Sequence, residues 1–179
     1  MIIDWFKNKI VDYPLFYLKY LDFFKENTPF NQFVVFNFEL QISSNKNHQI
    51  IRIFAYKVNN QEILLNDFID LKIENNDTIE TQAINDFTNY IKNLPLVSYQ
   101  INEKIVILNQ YLKKLNAGKI KNEVFDLELL FKTHHNIVDD ETISLQKIYQ
   151  DLKIKSDNIY DLNEKVYFEA LTFIKINKK

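Results

Sequence analysis

The spacing of hydrophobic residues predicts that strands fill the first half of the chain. Three runs have the continuous or alternating apolar pattern of β-strands: residues 33–38, 49–58 and 62–73. The first run, Phe-Val-Val-Phe-Asn-Phe, is typical of a strand that is buried on both faces. Asn59 and Asn60 suit a tight turn between the second and third strands, because asparagine tolerates positive φ.

After the third run, apolar residues recur at helical spacing and alternate with short strand-like runs. In order, these patterns predict a helix over 78–91, a strand over 94–99, a helix over 102–115, a strand over 123–125 and a last helix over 161–176. Asp126 and Ser144 suit the N-caps of two shorter helices. Gly118, the only glycine of the chain, is expected to stop the helix before it. This order predicts an α/β domain with a mixed sheet of about five strands flanked by helices.

The first thirty residues have a different pattern, which predicts two short helices. Asp4 suits the cap of the first, and Pro14 suits the first turn of the second, where its missing N–H costs nothing. The second helix is crowded with apolar side chains: Leu15, Phe16, Leu18, Tyr20 and Phe23. We therefore expect a helical extension over residues 1–30, packed on or beside a domain over residues 31–179.

Composition narrows the class of protein. The 179 residues suffice for one domain, and the net charge of -2 is not that of a strongly basic nucleic-acid binder. Arg52 is the only arginine, and because arginine is the preferred residue for bidentate phosphate recognition, its scarcity counts against tight phosphate binding. Cysteine is absent, which excludes disulfides and a thiol nucleophile. Asp4 and Lys7 interrupt the first apolar run, so no signal peptide is expected, and no apolar stretch reaches membrane-spanning length. We expect a cytoplasmic protein that does not bind membranes.

Three segments, together with the order of elements, resemble the DnaQ-like (DEDD) 3′–5′ exonucleases, a branch of the ribonuclease-H-like fold. Residues 33–39 resemble the first motif of that family, an apolar strand that ends in Asp-x-Glu. Residues 96–104 resemble the second, in which a strand ending in His-Asn leads to an aspartate four residues later. Residues 160–166 resemble the third, His-x4-Asp at the start of the last helix, and Asp126 lies where the family has an Asp-Thr pair. The resemblance extends from about residue 33 to residue 176.

The resemblance implies a two-metal hydrolase site, but the residues of this chain depart from it. In the family, four carboxylates hold two divalent metals that activate a water, and a histidine acts as general base. Here Asn37, Lys104 and Lys165 replace three of the four carboxylates, and Tyr160 replaces the histidine. Only Glu39 remains of the metal ligands.

The two lysines change the electrostatics of that site. A dication about 4 Å from one ammonium is repelled by roughly 8 kcal/mol at an effective dielectric of ~20, whereas millimolar affinity supplies only ~4 kcal/mol. We therefore expect no metal cofactor. One hypothesis is that Lys104 and Lys165 converge on Glu39 and replace the metals structurally. The alternative is that both lysines are solvated residues in a relaxed cleft.

A shift of one residue would restore carboxylates, because Glu103 and Glu164 each precede a critical lysine. On a helix such a shift is a rotation of ~100°, which would also turn the apolar face out of the core. An active exonuclease with substitute ligands, binding magnesium or manganese, would use Glu39 together with Glu103, Glu164 or Asp161.

A second group of possible metal ligands lies in one loop and comprises His134, His135, Asp139, Asp140 and Glu141. No helical or strand spacing focuses these side chains on one point, so a polar surface loop is the favoured interpretation.

The sequence thus favours a degenerate, catalytically inactive exonuclease domain that binds single-stranded nucleic acid or a protein partner. The residues expected to line that binding site are Glu39, Tyr99, Gln100, Lys104 and Lys165. One alternative is the atypical active exonuclease. Another is a purely structural or interaction protein whose aromatic N-terminal helices form the contact surface. The oligomeric state is left open.

Overall fold

A computed structural model of the chain describes residues 12–29, 31–42, 48–73, 77–138, 141–156 and 161–178. The strands are β1 Gln32–Ile42, β2 His48–Asn59, β3 Glu62–Lys72, β4 Leu96–Ser98 and β5 Val124–Asp126. The helices are α1 Leu15–Asp22, α2 Asp77–Ile91, α3 Ile101–Lys114, α4 Leu127–His134, α5 Leu145–Asp151 and α6 Leu162–Asn177, and a 3₁₀ turn, Phe23–Lys25, follows α1.

The strands form one five-stranded mixed sheet in the order β3-β2-β1-β4-β5. Strands β1, β2 and β3 are antiparallel neighbours, whereas β4 runs parallel to β1 and β5 runs parallel to β4. The predicted α/β fold with a mixed sheet is therefore confirmed, and the strand order is consistent with a ribonuclease-H-like arrangement. Among the residues that the structure describes, no helix has the length and apolar character needed to cross a membrane.

Strand β1 forms the centre of the core because both of its faces are covered. Val34 and Phe36 lie in a cluster with residues of α1, α2 and α3, whereas Val35 lies in a cluster with residues of α4 and α6. All three side chains are fully buried. The continuous apolar run of the first strand is thus explained by helices on both faces of the sheet.

Several predicted boundaries shift in the structure. Strand β4 spans only Leu96–Ser98, because Gln100 adopts a left-handed conformation (φ 53°) and turns the chain into α3. The predicted turn at Asn59 and Asn60 lies one residue later, since Asn59 still pairs with Glu62 and Asn60 has φ 54°. Asp126 and Ser144 cap α4 and α5 as predicted, each accepting a backbone N–H.

Helix α1 begins at Leu15, so Pro14 is its N-cap and not part of its first turn as predicted. The helix is attached to the domain through two buried tyrosines. Tyr17 donates its hydroxyl to the carbonyl of Lys119 at 2.6 Å. Tyr20 donates to Oδ1 of Asn122 at 2.6 Å and accepts the backbone N–H of Lys121 at 2.7 Å. Asp4 and the predicted first helix lie outside the described residues.

The prediction that Gly118 stops the preceding helix is wrong. Helix α3 ends at Lys114, and the left-handed residue after it is Asn116, with φ 55°, whereas Gly118 does not have a positive φ. Gly118 is instead required for space, because a Cβ there would lie 2.7 Å from Cζ of Tyr17. A heavy-atom contact that short forces the buried tyrosine ring to move.

We predict that Gly118→Ala lowers the free energy of unfolding by about 1–3 kcal/mol, the usual cost of overpacking. Urea unfolding followed by circular dichroism measures the change. Lys119→Ala at the next, exposed position is the matched control and should change stability by less than about 0.5 kcal/mol. A Gly118→Ala variant as stable as the wild type would contradict the packing role of this glycine.

Candidate functional site

Polar side chains from three strands meet beside α6, at the edge of the sheet where the parallel strands end. Asn37 lies on β1 two residues beyond Val35, the last residue that pairs with β4. Ser98 ends β4, and Asp126 ends β5. This edge of an open α/β sheet is where ligand sites commonly form. Asn37, Tyr99 and Lys104, which the resemblance to the exonuclease motifs predicted as site residues, all lie here.

Glu169 is the centre of this site. It lies on α6 and is completely buried. Its Oε1 accepts from Nδ2 of Asn37 at 2.6 Å, and its Oε2 accepts from Oγ of Ser98 at 2.9 Å and from the backbone N–H of Tyr99 at 3.2 Å. A buried carboxylate is costly unless its oxygens are hydrogen-bonded, and here both are.

Lys104 provides a positive charge next to this carboxylate. Its Nζ donates a short hydrogen bond to the carbonyl of Tyr99, whose N–H binds Glu169. Burial lowers the pKa of Lys104, the charge of Glu169 opposes that shift, and the charge of Lys165 adds to it. Among the ion pairs of the described residues, none joins Lys104 to Glu169, so their attraction acts through space and through Tyr99.

Lys165 lies one helical turn before Glu169 on α6 and is exposed. Its charge acts on both Glu169 and Lys104. The hypothesis that the two lysines converge on Glu39 is therefore wrong in its partner, because Glu39 lies against Arg52 and the carboxylate with the largest effect on the pKa of Lys104 is Glu169. Burial raises the pKa of Glu169, while Lys104, the Ser98 and Tyr99 donors and Lys165 oppose that increase.

Glu39 belongs to a separate cluster that surrounds the only arginine. Arg52 on β2 lies opposite Glu39 in the sheet, and its Nη1 is 3.5 Å from Oε1 of Glu39. The same guanidinium binds both carboxylate oxygens of Asp70, at 2.7 and 2.9 Å, and Oδ1 of Asp161 at 2.6 Å. These hydrogen bonds raise the pKa of Arg52 and lower that of Asp161.

This cluster removes two of the substitute ligands that an atypical active site would need. Glu39 and Asp161 are brought together, but the cation between them is Arg52. Glu103 and Glu164, which a shifted register would place in the site, are both exposed. In the first turn of α3, Lys104 rather than Glu103 reaches the site, where it binds the carbonyl of Tyr99. The structure therefore supports the alignment in which a lysine replaces the second-motif aspartate.

The remaining predicted site residues have structural roles or lie elsewhere. Tyr99 contributes its backbone, and its hydroxyl donates to the carbonyl of Ile143 at 3.0 Å. Gln100 is exposed at the left-handed turn before α3. Asp126 uses both oxygens on backbone amides, those of Glu128 and Ile101, each at 2.9 Å. Tyr160 lies outside the described residues.

The side chains around Glu169 do not fit a pair of divalent metals. Nδ2 of Asn37 donates to Glu169, and its Oδ1 accepts the N–H of Phe38 at 2.8 Å, so both amide atoms are already bonded. The charged groups that act on Lys104 are Lys165, Glu169, Asp126 and Glu103, so two lysines offset most of the negative charge that a pair of dications would need. Within the described ranges, no three His, Asp or Glu side chains are arranged to hold a metal.

The second suggested metal group is only partly described. His134 and His135 are exposed at the end of α4, and the ring of His135 lies 4.3 Å from that of Phe131. Asp139 and Asp140 lie outside the described residues. The interpretation as a polar surface loop stays a prediction.

Sequence reasoning missed Glu169, although a signal for it was present. The buried face of α6 includes Leu162, Val166, Ala170 and Phe173, and Glu169 lies within that stripe. A carboxylate at a core position of an amphipathic helix predicts a buried partner. The cluster around Arg52 gives no comparable signal, because it joins residues that are far apart in the sequence.

No protein-family model matches the chain, and no curated protein matches it either.

We predict that Lys104→Met destabilises the protein by about 1–3 kcal/mol, because it leaves the Tyr99 carbonyl and the Glu169 carboxylate without their cation. The double variant Lys104→Met/Glu169→Gln should cost less than the sum of the two single changes, with a coupling of about 0.5–3 kcal/mol. Urea unfolding of all four proteins measures it. Glu103→Gln, at the adjacent exposed position, should be close to neutral, and strictly additive effects would contradict a shared polar core.

Glu169 also predicts a pH dependence. Its folded-state pKa lies above the unfolded value of 4.5, so its contribution to stability is complete below that pH and is lost as pH rises through the folded pKa. As pH rises above 4.5, the wild type should therefore lose stability relative to Glu169→Gln. Urea unfolding at several pH values tests this, with Glu103→Gln expected to follow the wild type. A constant difference between wild type and Glu169→Gln would contradict the shift.

Proposed function

We propose that this chain is a degenerate DnaQ-like exonuclease domain that has lost hydrolysis and acts as a binding module, for single-stranded nucleic acid or for a protein. One observation carries the proposal. At the edge of the sheet where the resemblance implies two metals, the chain has a buried Glu169 that is bonded to Asn37 and Ser98, and Lys104 binds the adjacent Tyr99 carbonyl. On this proposal the domain functions without a metal cofactor.

The groups needed for hydrolysis are otherwise engaged. Metal-assisted cleavage requires carboxylates that hold the ions and so lower the pKa of a bound water. Glu169 is buried beneath three hydrogen-bond donors, and Glu39 and Asp161 are paired with Arg52. An active site with substitute ligands would have to displace that guanidinium, which also binds Asp70 in a bidentate manner.

A role in protein interaction has a separate observation in its favour. Leu15 and Leu18 on α1 are 68% and 43% exposed, although the same helix buries Tyr17 and Tyr20. Two exposed leucines next to each other on one helix are compatible with a contact surface for another protein. In this case the degenerate site serves only to stabilise the domain.

An exonuclease assay tests the loss of hydrolysis. A single-stranded oligonucleotide labelled at its 5′ end is incubated with purified protein and manganese, and the products are separated on a sequencing gel. We expect no shortening beyond that produced by Glu39→Ala, prepared in the same way to reveal any contaminating nuclease.

A ladder of products that disappears with Glu39→Ala would overturn the proposal and would identify an exonuclease with substitute ligands. A ladder that is the same in both proteins would come from a contaminant or from an activity that does not use Glu39. In that case the comparison is repeated on more highly purified protein.

A further inference from the structure

A basic pocket lies at the opposite end of the sheet from Glu169. It has a volume of about 380 Å³ and is formed by α1, the last turns of α3 and the segment that leads into β5. Because β4 and β5 are parallel, this segment approaches the amino ends of the strands, whereas Glu169 lies at their carboxyl ends. The lining of the pocket includes Tyr13, Tyr17, Asn109, Lys113, Lys119 and Lys121.

The charge of the pocket is entirely positive. Lys113, Lys119 and Lys121 are exposed, and the pocket lining contains no carboxylate. The sequence from residue 105 to residue 122 contains four lysines and no Asp or Glu. Of these lysines, Lys114 pairs with Glu80 at 3.8 Å, and none of the other three forms an ion pair with a carboxylate of the described residues. Three uncompensated cations beside one cavity attract a polyanion.

The backbone that carries two of these lysines is held in place by side chains of α1 and α3. Tyr17 binds the carbonyl of Lys119, Tyr20 binds the N–H of Lys121, and Oδ1 of Asn109 accepts the N–H between them at 2.8 Å. Ile120 packs against the core, while Lys119 and Lys121 on either side of it are exposed. The two ammonium groups therefore project from a fixed support, which reduces the entropy lost when a ligand binds.

An aromatic ring, that of Tyr13, also lines the pocket. Tyr13 is partly exposed, and its ring packs edge-to-face on buried Tyr17 with centroids 4.9 Å apart. An aromatic ring next to lysines is the combination that binds single strands, since bases stack on the ring and phosphates contact the cations.

The carboxylates around Arg52, at the other end of the domain, disfavour phosphate. Glu39, Asp70 and Asp161 surround one arginine, so that cluster has a net negative charge. Glu103 and Glu164 are exposed in the same part of the molecule. A phosphodiester chain thus encounters unfavourable charge at the Arg52 cluster and favourable charge at the basic pocket.

We propose that the basic pocket binds single-stranded nucleic acid, with Lys113, Lys119 and Lys121 contacting phosphates and Tyr13 stacking on a base. This inference goes beyond the loss of hydrolysis proposed above, because it assigns binding to a place remote from the degenerate site. It holds for DNA or RNA, which share the phosphates and bases that the pocket recognises.

Fluorescence anisotropy with labelled oligo(dT) and oligo(U) of about 20 nucleotides, in EDTA and from about 50 to 200 mM salt, tests the proposal. The wild type should bind at least one of the two, and more weakly as salt rises. Lys113→Gln/Lys119→Gln/Lys121→Gln should reduce affinity about tenfold or more. Loss of three phosphate contacts should also make the slope of log K against log salt less steep by ~2.

A matched triple variant removes the same charge elsewhere. Lys147, Lys155 and Lys178 are exposed and do not line the pocket, so their replacement by glutamine should leave affinity within about twofold of the wild type. Equal losses in both triple variants would show non-specific attraction and overturn the assignment, as would failure of the wild type to bind either oligonucleotide. Tyr13→Leu, which keeps every charge, should weaken binding without changing the salt slope. These outcomes are independent of the exonuclease assay, since EDTA prevents cleavage.

Discussion

The burial of a single carboxylate governs this structure. Glu169 is fully enclosed between α6 and the sheet, where an unpaired charge would be strongly destabilising. Asn37, Ser98 and the backbone of Tyr99 each donate to it, and Lys104 closes the network through the Tyr99 carbonyl. The network joins β1, β4, the start of α3 and α6, so the elements that meet at this edge of the sheet share one electrostatic requirement.

On our proposal, the same requirement accounts for a site without metal ions. Opposite charges meet at the same edge of the sheet in both cases, either as dications bound by carboxylates or as lysines near Glu169. Lysines, however, do not lower the pKa of a bound water as metals do. We propose that this exchange retains the packing of the domain and gives up hydrolysis, with binding left to surfaces such as the basic pocket.

The sequence predicted the fold better than the site, for physical reasons. Hydrophobic periodicity reports which faces are buried, and helices on both sides of β1 follow from its continuous apolar run. It does not report which buried polar residue faces which, so Glu39 was expected beside the lysines although its partner is Arg52. Glu169 lies on the apolar face of α6, but it matches no position of the motifs that identified Asn37 and Lys104 as site residues. Gly118 was assigned by its usual backbone role, whereas its contact with Tyr17 depends on the tertiary packing of α1.

The most direct test of the central claim is a manganese titration followed by electron paramagnetic resonance of the free ion. If the lysines and the bonded Glu169 exclude dications, the protein should leave the free-ion signal unchanged up to about millimolar manganese. Saturable binding that is lost in Glu39→Ala or Glu169→Gln would contradict the account, because it would show that these carboxylates still hold a metal.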